Sequence, residues 1–265
     1  MVESSNAIKY NSTMRFFFLL VLKRYFTLLS LLLLIAICSH SQPQPPDKSR
    51  DFYREIKQYD LRLLWHSDSI TAVGLGLKAA FPEPLGFIGD HFQRFYIHYL
   101  SVTRSKTSPY LYEVTGKTRV KNNICSFRGT ITVIEASLYD RSREYGYKEG
   151  YVTCQVMLKE DSVHAGSGTI EGRLQTDFCI DSKNVVQYNT IESSTEDSYC
   201  NNQCVGTWTS YSTGARKKCD WGDFRIPESE GGGKLDIGAY VFAPADEYIA
   251  YGWEHFDIED HWWSN

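Results

Sequence analysis

From Phe92 onward, apolar and polar positions alternate with a period of two, as half-buried strands require. Five such segments follow in order: HFQRFYIHYLSV (91–102), PYLYEVTGKTRV (109–120), ICSFRGTITVIEASL (124–138), GYVTCQVML (150–158) and TIEGRLQTDFCI (169–180). Short polar turns such as Lys121-Asn122-Asn123 and Ala165 to Gly168 separate them, and no long helix intervenes. That order predicts an antiparallel meander rather than a crossover topology. Further strands are expected at NVVQYNT (184–190), CVGTWTSY (204–211) and LDIGAYVFAP (235–244), with polar turns at IESSTEDSY and ESEGGGK. Upstream, Phe52, Ile56, Tyr59 and Leu63 recur every three or four positions and predict a short helix within Asp51 to Asp68. The stretch ITAVGLGLKAAFPEPLGFIG (70–89) is broken by Gly and Pro and reads as an irregular connection. The expected fold is all-β: an antiparallel meander closing into a barrel, with a β-sandwich as the alternative.

The first fifty residues have a different character. Lys23 and Arg24 precede an apolar run from Thr27 to Cys38, about twelve residues against the about 20 that a bilayer span needs. Ser39 and Ser41 sit at −3 and −1 of a cut before Gln42. Residues 1–41 therefore read as a signal peptide, with Met14 a candidate start, residues 42–50 as a Pro/Gln linker, and 51–265 as one β-rich domain. An uncleaved anchor is the alternative. Ile35-Ala36-Ile37-Cys38 also resembles a bacterial lipobox, so a lipidated Cys38 would be a second route to the membrane. Expected localisation is secreted, periplasmic or envelope-associated, and the chain is expected to be a monomer.

Charge nearly balances, at a formal net of −4, so no basic field points to nucleic acid. Aromatic residues are abundant, with 18 Tyr, 14 Phe and 6 Trp. Such side chains offer flat apolar faces with polar edges, which suits an apolar small molecule or a glycan as ligand. Trp208, Trp221 and Trp253 are the candidate ligand-contact aromatics. Gly206-Thr207-Trp208 is similar to the G-x-W of lipocalin and avidin barrels, a likeness of three residues that falls late in the chain and assigns no family.

Seven cysteines are present, and setting Cys38 aside leaves an even number. In an oxidising compartment disulfides are the default for Cys125, Cys154, Cys179, Cys200, Cys204 and Cys219. Strand phase turns Cys125 and Cys154 inward and Cys179 outward, so Cys125–Cys154 is the expected core pair, with Cys179 joined to one of Cys200, Cys204 or Cys219. Zinc is the runner-up, but Cys200-x₃-Cys204 with Cys219 leaves a site one ligand short.

No motif assigns chemistry. Gly74 to Ala79 lacks the helix of a dinucleotide site, no G-x-S-x-G elbow occurs, and no cofactor is expected. Asp220 and Asp223 flank Trp221 as a carboxylate pair of the kind glycoside hydrolysis uses, yet they read more simply as turn residues. His91 and His98 read as turn and strand histidines. In the C-terminal YGWEHFDIEDHWWSN the acidic and histidine residues read as a solvated tail, and its tryptophans as docking the tail onto the domain. The catalytic residues, if any, are unknown at this level. A non-catalytic ligand-binding or envelope-associated role is expected, with a secreted hydrolase acting on glycans as the alternative.

Overall fold

The computed structural model describes residues 48–191, 199–229, 235, 237–238, 241–242, 244–254 and 261–264. The chain divides into two compact units, Met1–Asp47 and Lys48–Asn265. The first unit, with the expected signal peptide, lies outside the described residues.

The second unit is mostly β. Its long strands are β5 (Gln93–Arg104), β6 (Leu111–Val120), β7 (Asn123–Tyr139), β8 (Lys148–Glu160) and β9 (Gly168–Ile180), the five expected segments to within a few residues, followed by β11 (Asn201–Ser210). Short strands are β1 (Ser49–Asp51), β2 (Ser69–Thr71), β3 (Lys78–Ala80), β4 (Leu85–Ile88) and β10 (Val186–Tyr188), with β12 (Arg216–Asp223) longer. They build a ten-stranded antiparallel sheet whose hydrogen bonds run β7-β6-β5-β4-β12-β11-β9-β8 and return to β7, a ring of eight strands. Two ring members, β4 and β12, were read from sequence as irregular connection and turn. β1 continues the line of β6 beside β7, and β10 continues the line of β11 beside β9, so both extend the ring at the same end.

Other expectations need correction. The helix expected within Asp51 to Asp68 is a single turn, α1 (Tyr53–Ile56), followed by a 3₁₀ turn at Arg62–Leu64. Phe52, Ile56, Leu61, Leu64 and Trp65 are all buried, while Leu63 is exposed. The segment is thus not an amphipathic helix packed on a sheet but an irregular plug pushed into one end of the ring. Leu61 N donates to Tyr112 Oη at 3.2 Å and Trp65 Nε1 to Thr176 Oγ1 at 2.9 Å. This satisfies polar groups that burial would otherwise penalise. The long strand expected at 235–244 is instead two short ones, β13 (Ile237–Gly238) and β14 (Val241–Phe242), paired with each other. A short helix, α2 (Asp246–Tyr248), follows them.

The core fills the middle of the ring. Inward positions carry Phe95, Ile97, Tyr99, Tyr112, Phe127, Ile131, Leu174, Phe178 and Trp221. Gly116 makes room for two of these: a Cβ there would stand 2.4 Å from Phe127 Cζ and 2.2 Å from His98 O. Phe127 can therefore meet Tyr99 edge-on at 5.9 Å.

The cysteines do not pair as expected. No disulfide is present among the described residues, and Cys125, Cys154, Cys179, Cys204 and Cys219 carry free thiols. Cys154 stands opposite Val133 on β7, eight residues from Cys125, a span of roughly 26 Å where a disulfide tolerates about 7 Å. Cys179 does face outward, opposite Glu149 and Gln187, yet it is fully buried. Glu149 there gathers Ser142 Oγ, Arg143 N and Asn189 Nδ2, which folds the β7–β8 loop over that face.

The tail docks on the outside of the sheet. Trp253 and Trp262 are buried, Trp253 Nε1 donates to Phe92 O at 2.7 Å, and Trp263 stacks on His98 at 3.9 Å. Arg94 lies over the faces of Tyr96 and Trp253, a cation–π arrangement that ties tail to sheet.

Candidate functional site

Two cavities open at opposite ends of the ring. The one at the plugged end encloses about 390 Å³ and lies where β5 runs past the start of the short β4. Its apolar walls are Trp65, Phe81, Pro82, Leu174, Trp221 and Trp263. His66, Asp68, Glu83, His98 and His261 line its rim, and His98 Nδ1 meets Glu83 Oε1 at 2.8 Å.

Asp223 lies at its floor because β12 places residues 219, 221 and 223 on the inward face. A bulge in β11 between Asn201 and Cys204 turns Asn202 in beside it, with Asn202 at a φ of 48°. Asn tolerates that left-handed conformation better than most residues. Asn202 Nδ2 donates to Asp223 Oδ2 at 2.7 Å, and Tyr188 Oη donates to the same oxygen at 2.8 Å. Asn202 also donates to Leu64 O and accepts from Thr176 Oγ1, which itself accepts from Trp65. One polar chain thus connects plug, β9, β11, β12 and β10.

The chain is incomplete at one atom. Asp223 Oδ1 is buried and has no hydrogen-bond partner among the described residues, and neither does Tyr99 Oη, which lines the same cavity. The Trp221 indole beside Tyr99 does not meet hydrogen-bond geometry with it. Burial pushes the Asp223 carboxyl up to about 7, with the two donors on Oδ2 opposing that rise. Burial first, then the proximity of Cys204 and Asp223, raises Tyr99 well above its ordinary range. An unpartnered buried polar atom costs about 1–3 kcal/mol, so the two residues carry unmet hydrogen-bonding capacity just beneath the lining of this cavity.

The residues singled out from sequence are dispersed. Trp221 forms a wall here, Trp208 lines the other cavity, and Trp253 lines neither, being a tail residue buried against the outside of the sheet. Asp220 and Asp223 part company: Asp220 faces out, accepts from Gly206 N at 2.9 Å and lies 3.5 Å from Lys218 Nζ, so the two do not share a pocket. Burial raises Cys125 to about 11 and Cys179 to about 12, and holds Cys204 and Cys219 well above the ordinary thiol range. None of these is an activated nucleophile. Of the metal-capable tail, His255, Asp257, Glu259 and Asp260 lie outside the described residues. Tyr99, Asn202, Tyr188 and Trp65 were not anticipated as site residues. Tyr99 alternates in phase with Phe95 and Ile97, a signal that marks it as inward but does not reveal that its hydroxyl lacks a partner. The chain matches no known family model, no curated protein and no solved structure.

Proposed function

We propose that the chain is an exported, barrel-like binding protein whose plugged-end cavity takes a small hydroxylated ring, a sugar-sized ligand rather than a purely apolar one. The carrying observation is the pair of orphaned atoms, Asp223 Oδ1 and Tyr99 Oη, at the floor of a cavity walled by Trp65, Phe81, Trp221 and Trp263. Aromatic faces stack on the apolar side of a ring, while the two polar atoms read hydroxyl groups that an apolar ligand would lack. A volume of about 390 Å³ falls within the range of small-molecule pockets. Export rests on the order of Lys23-Arg24, apolar run and Ser39/Ser41. Buried thiols of raised pKa exchange slowly, which reconciles a reduced core with an oxidising compartment.

Tryptophan fluorescence titrated with a panel of methyl glycosides tests this reading. A saturable change in wild type that is lost in Tyr99→Phe, a variant that keeps the ring and removes the orphan hydroxyl, supports it. A flat response to the whole panel removes it.

A second reading follows from one further observation: a carboxyl held near 7 shares its cavity with Glu83 and Asp68, and acid–base hydrolysis uses such unequal carboxyls. Release of p-nitrophenol from p-nitrophenyl glycosides, abolished in Asp223→Asn, would establish a hydrolase in place of a binding protein.

A further inference from the structure

The opposite end of the ring has its own cavity, about 590 Å³, formed by the end of β4, the start of β5, the β6–β7 turn, the ends of β8 and β11 and the start of β12. Its inner wall is apolar: Ile88, Phe95, Val120 and Trp208. At its floor Glu160 is fully engaged. Oε1 accepts from Thr118 Oγ1, and Oε2 accepts from Gly168 N at 2.8 Å and Trp208 Nε1 at 2.9 Å. This carboxylate fixes the indole as a wall and has no acceptor capacity directed at a ligand beyond what those three donors use.

The mouth is cationic. Lys121 at the β6–β7 turn, and Arg216 and Lys217 at the start of β12, all line it and are exposed, and none forms an ion pair among the described residues. Lys218 also lines it but is held by Glu228 and Asp220. On the acidic side the mouth offers Asp90, with His91 stacked on Tyr251. Lys217 Nζ stands 5.8 Å over the Trp208 ring, so one cation sits where the apolar wall meets solvent. Charges that have no ion pair among the described residues, grouped and set above an apolar recess, are complementary to a molecule with an anionic head and an apolar body.

We infer that this far-end cavity is a second, independent binding site for an anionic amphiphile, a carboxylate-bearing apolar molecule whose tail lies against Ile88, Phe95, Val120 and Trp208 and whose head meets Lys121, Arg216 and Lys217. The site goes beyond the sugar-sized cavity at the plugged end and does not depend on it.

The test uses the full chain with two fluorescent probes, anionic 1-anilinonaphthalene-8-sulfonate and its uncharged relative N-phenyl-1-naphthylamine, and two competitors, decanoate and 1-decanol. Saturable binding of the sulfonate probe is expected, displaced by decanoate but not by an equal concentration of 1-decanol. The triple variant Lys121→Ser, Arg216→Ser, Lys217→Ser changes only surface positions. It should weaken the sulfonate probe on the order of tenfold and leave the uncharged probe within about twofold, and added salt should mimic it in wild type. Asp223→Asn should leave both probes unchanged, which separates this site from the other cavity. Equal displacement by decanoate and 1-decanol, or sulfonate binding untouched by the triple variant, would overturn the inference.

Discussion

Replacing Asp223 by Asn should make the protein more stable at pH 8 and no more stable at pH 4. The carboxyl titrates near 7 in the folded chain against an ordinary value of 3.8, because burial disfavours its charge more than Tyr188 and Asn202 compensate. Between those two pH values the native state holds a proton that the unfolded chain has released, so this group's contribution is fully present below about pH 4 and declines as pH rises through about 7. A shift of about three pKa units at about 1.4 kcal/mol each amounts to about 4 kcal/mol at pH 8, an upper figure for a fully buried group. Asn preserves the shape: its carbonyl takes the two donors now on Oδ2, and its amide occupies the Oδ1 position without a charge. Asp177 and Asp220, both raised to about 6 by burial, add slope of the same sign in nearly the same window. The informative quantity is therefore the difference between variant and wild type, from urea midpoints between pH 4 and 8 at constant m-value. That difference should grow from near zero to roughly 2–4 kcal/mol in favour of Asn. Parallel curves would refute a carboxyl perturbed by burial.

Trp65→Ala should lower stability by about 3–5 kcal/mol, because the side chain is buried in the plug and its indole anchors Thr176; thermal unfolding of variant and wild type measures it. Gly116→Ala should be destabilising by about 1–3 kcal/mol or more, since the added methyl would meet His98 O and Phe127, read by the same assay. A disulfide-exchange reagent should modify Cys154, Cys204 and Cys219 only at the rate of global unfolding, given their complete burial; rapid labelling of all three in native buffer would contradict the packed core. Intact mass of protein recovered from an expressing cell envelope should show a chain beginning at Gln42 or a lipidated Cys38, and full-length protein in the cytosol would contradict export.

The five-strand meander was legible because alternation over ten or more residues leaves one consistent reading, and β5 to β9 fall where that alternation runs. What closes the ring was not. β4 is four residues long and β12 carries Gly222 and two aspartates, so neither offers enough period-two signal to outweigh its turn-forming residues. The plug illustrates a different failure. Spacing correctly marked Phe52 and Ile56 as buried, but helical periodicity assumes one packed face, whereas a segment inserted into a ring end is surrounded and buries Leu61, Leu64 and Trp65 as well. Cysteine pairing failed for a third reason. Phase reports the face of a sheet on which a side chain lies, and it is silent about position along the strand, which alone separates Cys125 from Cys154.

The site shares that last difficulty. Asp223 looked like a turn carboxylate because its identity as an inward residue depends on β12 being a strand, on the bulge that brings in Asn202, and on Tyr188 arriving from β10. Each partner comes from a separate part of the chain, at separations no local pattern records. Both partners, Asn202 and Tyr188, satisfy a single oxygen, and the other is left bare in a core that elsewhere answers Glu160 with three donors. The contrast between the two buried carboxylates is what assigns their roles. Glu160 is saturated and acts as a fixed support for Trp208, whereas Asp223 is half-satisfied and buried, and Asn at that position would relieve the cost of the buried charge while leaving the second position without a partner. A residue whose replacement is expected to stabilise the fold is a candidate for a role other than folding, and Asp223 lines the cavity for which a ligand is proposed.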